Sequence, residues 1–138
     1  WATSREEPKR AKALEIGAHA VFETGARLPG KVDAGLETVG KATWSHSMRA
    51  LRPGGTLVVS GATTGADPSA DLNRLFFLQL RVVGSTMGTH DELADLLRFV
   101  QTTGVRPLVD DVRPLSQAAE SFARLAQGDV FGKLVLTC

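Results

Sequence analysis

The sequence predicts an α/β protein built on a doubly wound parallel sheet, and three observations carry that reading. Short β-branched runs alternate with segments of helical apolar period along most of the 138 residues. Glycines punctuate the joins, and no internal repeat or low-complexity tract breaks the order. The run Thr56-Leu57-Val58-Val59-Ser60 is β-prone throughout, as expected of a parallel strand covered on both faces. A repeated strand–helix order of this kind lays successive strands into one parallel sheet.

Each element has its own signal. Trp1-Ala2-Thr3 reads as the tail of a strand. Ser4 and Glu7 then make an S-x-x-E capping box with Pro8 in the first turn, so a helix is expected to start there. Ala11, Leu14 and Ala18 give its apolar spacing, and Gly17 its stop. A strand is expected over 20–23, a turn-rich stretch over 24–31 and a further strand over 32–38. A parallel crossover takes a dozen or more residues. Either this link is a tight loop, or the strands it joins are not neighbours.

Trp44, Met48 and Leu51 recur at i, i+4 and i+7, marking a helix that Arg52-Pro53-Gly54-Gly55 ends. After the strand over 56–60 and a loop over 61–69, Asp71 caps a helix carrying Leu72, Leu75, Phe76 and Gln79. Residues 81–85 form the next strand. Thr89 and Glu92 make a second capping box, for a helix with Leu93, Leu96, Leu97 and Val100 on one face. The reading is a Rossmann-like sheet. Beyond Gly104 the pattern changes to a strand over 107–112, a helix capped by Ser116 with a stripe of Ala118, Phe122 and Leu125, a stop at Gly128 and a β-rich run over 133–137.

Composition excludes several functions. Sixteen basic and fifteen acidic side chains leave a net charge of +1, which gives no electrostatic footprint for nucleic acid or an anionic membrane. No apolar run approaches the ~20 residues of a membrane span. The single cysteine, Cys138, excludes an internal disulfide framework and a multi-cysteine zinc knuckle. A cytoplasmic location is the resulting expectation. The chain opens at Trp1, inside a structural unit, as expected of a fragment.

Several segments in this order and spacing resemble the C-terminal part of the medium-chain dehydrogenase/reductase superfamily, the zinc-type alcohol dehydrogenases and quinone oxidoreductases. They are Arg10-Ala-Lys-Ala-Leu-Glu-Ile-Gly-Ala18, Leu36-Glu-Thr-Val-Gly40, Ala50-Leu-Arg-Pro-Gly-Gly-Thr-Leu-Val58, Ser60-Gly-Ala-Thr63, Gly84-Ser-Thr-Met-Gly88 and Phe131-Gly-Lys-Leu-Val-Leu136. The resemblance covers essentially the whole chain. It implies a partial Rossmann nucleotide-binding domain over 1–103, and a C-terminal segment over 104–138 that packs with the catalytic domain in the family. It also implies what these residues lack: the GroES-like catalytic domain, the first strand of the sheet and the G-x-G-x-x-G turn that cradles a diphosphate. In the order 3-2-1-4-5-6 the first strand is central. Its removal is expected to split the sheet and leave two unpaired edges, unless another polypeptide supplies the strand.

Candidate site residues follow from the same resemblance. Ser4, Arg5 and Lys9 fall where Rossmann domains read the adenosine ribose. A small polar residue with basic neighbours suits a 2′-phosphate, so NADP(H) is favoured over NAD(H). The other reading is that Ser4 only caps and that Arg5, Lys9 and Arg10 are solvated helix charges, with Glu6 and Glu7 opposing a phosphate. Thr38, Val39 and Gly40, then Ser60, Gly61 and Ala62, lie at carboxyl ends of strands, where open α/β sheets bind ligands. With Ser85, Thr86 and Met87 they are implied to wall the nicotinamide, although glycines there also serve tight turns. Lys133 resembles the basic residue that reaches the diphosphate, or is an exposed charge.

His19, His46 and His90 have no ligand spacing and read as surface histidines, so zinc is expected only in the parent's missing catalytic domain. Asp110 and Asp111 read as solvated turn charges. The implied function is the cofactor-binding part of an NAD(P)(H)-dependent dehydrogenase that moves hydride between nicotinamide and an alcohol/carbonyl substrate. This part is expected to be inactive alone. A zinc-free quinone or enone oxidoreductase is one rival. Another is a non-catalytic dimerisation module, associating through the strand near 81–86.

Overall fold

The computed structural model describes all 138 residues, and packing divides them into two units, Trp1–Met87 and Gly88–Cys138. No helix is long and apolar enough to cross a membrane.

In the first unit, β1 (Ala2–Ser4) pairs in parallel with β2 (Val21–Glu23), and α1 (Glu7–Glu15) connects them. Trp1 packs edge-on against Phe22, with ring centroids 5.4 Å apart. The capping box expected at Ser4 does not form. Glu6 is the N-cap, with no side-chain cap bond, and the Ser4 hydroxyl accepts from the Glu6 N–H at 3.3 Å instead. Pro8 explains the shift: with Ser4 as cap it would stand at the first position whose N–H the helix needs. Starting at Glu7 returns Pro8 to the first turn, where its missing donor costs nothing.

A second parallel sheet has the order β3-β4-β5, from β3 (Val32–Glu37), β4 (Leu51–Val59) and β5 (Arg81–Gly84). Leu36, Val58 and Val83 stand in register across it, as do Gly35, Leu57 and Val82. Helices α2 (Lys41–Ala50) and α3 (Leu72–Phe77) make the connections. Met48, Leu51, Leu57 and Leu80 are buried together, with Trp44, Val59, Leu75 and Leu78 packed against them. The adjacent position in β3 fares differently: Leu36 is 83% exposed, because strand alternation turns it to the face opposite Leu57.

Two boundaries differ from expectation. Arg52-Pro53-Gly54-Gly55 does not separate helix from strand, because Leu51 already pairs with Val32, and the ladder resumes at Thr56 with Ala34. The residues between form a bulge, held by a bond from the Gly54 N–H to the Leu78 carbonyl at 2.8 Å and by the Arg52–Asp33 ion pair. Gln79 lies outside α3, at φ +52°, although Asp71 caps that helix by accepting from the Arg74 N–H. β2 and β3 are not neighbours, which is why so short a link suffices. β1 and β2 form one sheet and β3, β4 and β5 another, with no ladder between β1 and β3, which is the split expected from the sequence.

The second unit begins with α4 (His90–Thr103), whose capping box is complete: the Thr89 hydroxyl accepts from the Glu92 N–H, and the Glu92 carboxylate from the Thr89 N–H. β6 (Val109–Pro114) and β7 (Lys133–Thr137) pair in parallel, joined through a 3-10 turn (Leu115–Gln117) and α5 (Ala118–Gln127). Ser116 does not cap α5. It sits inside that turn, which runs straight into the helix and makes Gln117 the N-cap, without a side-chain bond. Asp110 and Asp111 are not solvated turn charges either. They lie in β6, where Arg124 of α5 donates to Asp110 at 2.6 Å and to Asp111 at 3.3 Å, and Arg113 donates to Asp111 at 2.6 Å. The Arg113 hydrogen bond is the main cause holding the Asp111 carboxyl below its ordinary pKa.

Candidate functional site

The carboxyl ends of β3, β4 and β5 converge on one rim, and backbone bonds lock it. The Ser60 N–H donates to the Glu37 carbonyl at 2.9 Å, the Thr64 N–H to Val39 at 2.8 Å and the Lys41 N–H to Gly65 at 3.1 Å. The Thr64 hydroxyl adds a bond to the Val39 carbonyl and accepts from the Ala42 N–H. One further bond, from the Ser85 N–H to the Val59 carbonyl at 2.8 Å, ties in the segment after β5.

Close approach makes two glycines obligatory here. Gly40 has φ +91°, and a Cβ on it would lie 2.5 Å from the Gly65 carbonyl oxygen and 2.8 Å from Ala62 Cα. A Cβ on Gly61 would lie 2.6 Å from the Thr38 carbonyl oxygen. No side chain fits either position without moving backbone.

Glu37, which the sequence reading passed over, holds the rim from beneath. It is only 2% exposed. One carboxylate oxygen accepts from the Val39 N–H at 2.8 Å, the Gly40 N–H at 3.0 Å and the Thr43 hydroxyl at 2.8 Å. Its other oxygen accepts from the Ser47 hydroxyl at 2.5 Å. Burial alone would push this carboxyl up, but the bonds from Ser47, Gly40, Thr43 and Val39 together outweigh burial and hold its pKa below the ordinary value. The anion also faces the N-terminus of α2, where its charge is favoured. The usable signal in the sequence is an acidic residue ending a β-rich run, ahead of a glycine and of hydroxyl residues one helical turn apart.

The structure therefore gathers Thr38, Val39, Gly40, Ser60, Gly61 and Ala62, with Ser85 bonded to their edge. Thr86 and Met87 follow it, exposed, Met87 by 92%. Ser4, Arg5 and Lys9 sit apart from this rim, where β1 leads into α1. Arg5 is exposed, Lys9 pairs with Glu6 at 2.8 Å, and Arg10 donates to the Ser4 carbonyl at 2.7 Å. Lys133 belongs to the other unit, as the first residue of β7, and is exposed. A cavity of about 730 Å³ runs along β3 and ends at Thr38 and Val39.

No group of three or more His, Cys, Asp or Glu side chains comes together to hold a metal ion. His19 and His90 are exposed. His46 is not a plain surface histidine: it is half-buried, with Nε2 2.8 Å from the Ala26 carbonyl oxygen, because its helix faces the loop after β2.

Comparison with known proteins gives consistent findings. A family profile described as "Zinc-binding dehydrogenase" matches residues 16–136. An alcohol dehydrogenase of Geobacillus stearothermophilus is 32% identical over 96% of this chain and 35% of its own length. An acryloyl-coenzyme A reductase of Sulfurisphaera tokodaii is 27% identical over 97% of this chain and 41% of its own. The structure of a cobalt- and zinc-bound thermostable alcohol dehydrogenase from Pyrobaculum aerophilum superposes with a TM-score of 0.86 at 29% identity, covering 99% of this chain and 42% of that one. The chain thus spans about two fifths of the length of the relatives it matches.

Proposed function

The chain belongs to the zinc-binding dehydrogenase family, and from that premise we propose that it is the cofactor-holding part of an NADP(H)-preferring dehydrogenase or reductase. The observation that carries this reading is the locked rim. Three adjacent parallel strands end together, with glycines at the points of closest approach, which is where open α/β sheets place ligands. Thr38, Val39, Gly40, Ser60, Gly61 and Ala62 orient the nicotinamide on fixed backbone, with Ser85, Thr86 and Met87 closing one side. Ser4, Arg5 and Lys9 take the adenosine end, and Lys133 the diphosphate. A bound nicotinamide supplies the hydride chemistry with an alcohol/carbonyl pair. The reductase relative favours an enone-type substrate as the second reading.

These residues fit a dinucleotide only in part, because no G-x-G-x-x-G turn occurs in the sequence. They do not fit zinc, since no ligand set forms, and no metal step is assigned to them. The Glu37 carboxylate is committed to the rim's own hydrogen bonds, and the chain alone is inactive in this reading, which also takes the working division as 1–103 and 104–138 and the location as cytoplasmic. β5 is one edge of its sheet, with Val82 and Val83 exposed, and association of copies through 81–86 completes the proposal.

Fluorescence titration with NADPH and NADH tests the cofactor assignment on the polypeptide that carries this chain. A hydrogen bond to a charged group contributes about 1.5–3 kcal/mol. Arg5→Glu is thus expected to weaken NADPH by a factor of about 10 or more while leaving NADH nearly unchanged. Equal losses for both cofactors remove Arg5 from 2′-phosphate recognition.

A further inference from the structure

The link between β2 and β3 is short, and its segment Arg27-Leu28-Pro29-Gly30-Lys31 places two cations within one turn-rich stretch. It runs past α2, where His46, Arg49 and Ala50 recur at i, i+3 and i+4 and so share a face. Between loop and helix lies a cavity of about 430 Å³, lined by residues 25–31 and those three, within the usual size of a small-ligand pocket. Two bonds hold the loop on the helix. His46 Nε2 stands 2.8 Å from the Ala26 carbonyl oxygen, and Lys31 Nζ donates to the Arg49 carbonyl.

The cavity is charged on one side only. Arg27, Lys31, His46 and Arg49 line it and no Asp or Glu does, in a chain whose net charge is +1. Arg52, Arg74, Arg98, Arg113 and Arg124 each pair with a carboxylate, whereas no carboxylate pairs with Arg27 or Arg49. The carbonyls at the end of α2 would repel an anion, but Lys31 covers that of Arg49, and its ammonium keeps two further hydrogens to donate. Like charges gathered at one cavity repel each other, and an anion among them reverses the sign of that interaction.

We propose that this cavity binds the phosphate group of a small organic phosphate monoester. Arg27, Lys31 and Arg49 supply three cations, which suit a dianion with three acceptor oxygens better than a carboxylate with one charge. Guanidinium forks also match phosphate oxygens in pairs. The volume exceeds what one anion fills, since a liquid water occupies about 30 Å³. Ala26, Leu28, Pro29 and Ala50 give the remaining space an apolar wall for the organic part of the ester. The site stands at the end of α2 opposite the rim: the Lys41 N–H, in the first turn, bonds Gly65 there, and Arg49 lies in the last turn. It is therefore separate from the nicotinamide rim, and the inference does not rest on the cofactor reading.

Calorimetric titration of the polypeptide that carries this chain, at low ionic strength, tests the proposal. The probe is phenyl phosphate, with inorganic phosphate and phenol for comparison. One phenyl phosphate is expected to bind per chain. Arg27→Gln and Arg49→Gln should each weaken it about 10-fold or more, whereas Arg98→Gln, an exposed arginine on α4 outside the cavity, and saturating NADPH should leave it unchanged. Arg27 and Arg49 are exposed, so both variants should keep the wild-type melting temperature, and if one does not fold the other carries the test. The proposal is overturned by the absence of saturable binding, by an equal loss in Arg98→Gln, by displacement with NADPH, or by phenol binding as tightly as its phosphate. Inorganic phosphate binding as tightly as phenyl phosphate overturns the ester and assigns the cavity to free phosphate.

Discussion

Replacing Glu37 tests whether one buried anion organises the rim. In Glu37→Gln the amide oxygen still accepts from Val39, Gly40 and Thr43, and the Ser47 hydroxyl can turn to accept instead of donate. Only the charge is lost. Charged acceptors exceed neutral ones by about 1 kcal/mol per bond, and with partial compensation the cost is about 1–2 kcal/mol. Glu37→Ala is harsher. The Thr43 hydroxyl keeps the Gly40 carbonyl at 3.3 Å, but the Val39 and Gly40 N–H groups lose their acceptor. Two such donors, the Gly40 one buried and the Val39 one half-buried, at about 1–3 kcal/mol each give about 2–6 kcal/mol.

Thermal unfolding followed by far-ultraviolet circular dichroism reads both variants. For a unit of this size the glutamine variant should melt about 4–16 °C lower at pH 7. The pH dependence carries the sharper test. The folded pKa of Glu37 is lowered, so its contribution is complete above the unfolded value of about 4.3. It is lost as pH falls through the folded pKa. The gap between wild type and Glu37→Gln should therefore close in acid. A gap that is absent at pH 7, or that persists unchanged at pH 2–3, would falsify the account of Glu37 as an ionised anchor.

Three other substitutions probe separate features. Gly40→Ala adds a Cβ that meets Gly65 and Ala62 at a positive φ. It should cost about 2 kcal/mol or more by denaturant unfolding, and an unchanged midpoint would show that the rim is looser than drawn. Arg124→Met removes the charged partner of Asp110, whose side chain is 10% exposed, and leaves it only the bond from the Phe131 N–H. A loss of about 1–3 kcal/mol, confined to the second unit by hydrogen exchange, is expected, and no loss would mean that the network is ornamental. Val83→Lys places a charge on the β5 edge strand and should abolish association measured by light scattering; if dimer and melting temperature both survive it, the edge is not the interface.

Local signals were legible and tertiary ones were not. The Thr89–Glu92 box reads correctly because both of its bonds lie within one turn. An identical pattern at Ser4 and Glu7 misleads because Pro8 sets the helix start. The bulge at residues 52–55 looks like a helix terminator, yet it depends on Leu78, brought close only by folding. At the rim, the segments at 38–40 and 60–62 are visible from their small residues after β-rich runs. Glu37 leaves only a weak signal, an acidic residue before a glycine and two hydroxyl residues, and its role is set when α2 folds back with Thr43 and Ser47 against it. Asp110 likewise acquires its meaning only from Arg124, on the far side of a connection.

The broken sheet also determines how the first unit loses its structure. β1 and β2 form a two-stranded ribbon that no ladder bond links to β3, β4 and β5, and such a ribbon is marginal in water. Across the gap the two pieces are joined only by contacts outside the ladders, such as His46 against the Ala26 carbonyl, so their coupling is weak. On heating, the ribbon with α1 should melt first and the three-stranded piece later, so that the calorimetric enthalpy exceeds the van't Hoff value. A central strand that bonds to both would merge these events into one. Cooperativity of the whole unit thus depends on one short segment, and the ratio of the two enthalpies measures directly whether that segment is in place.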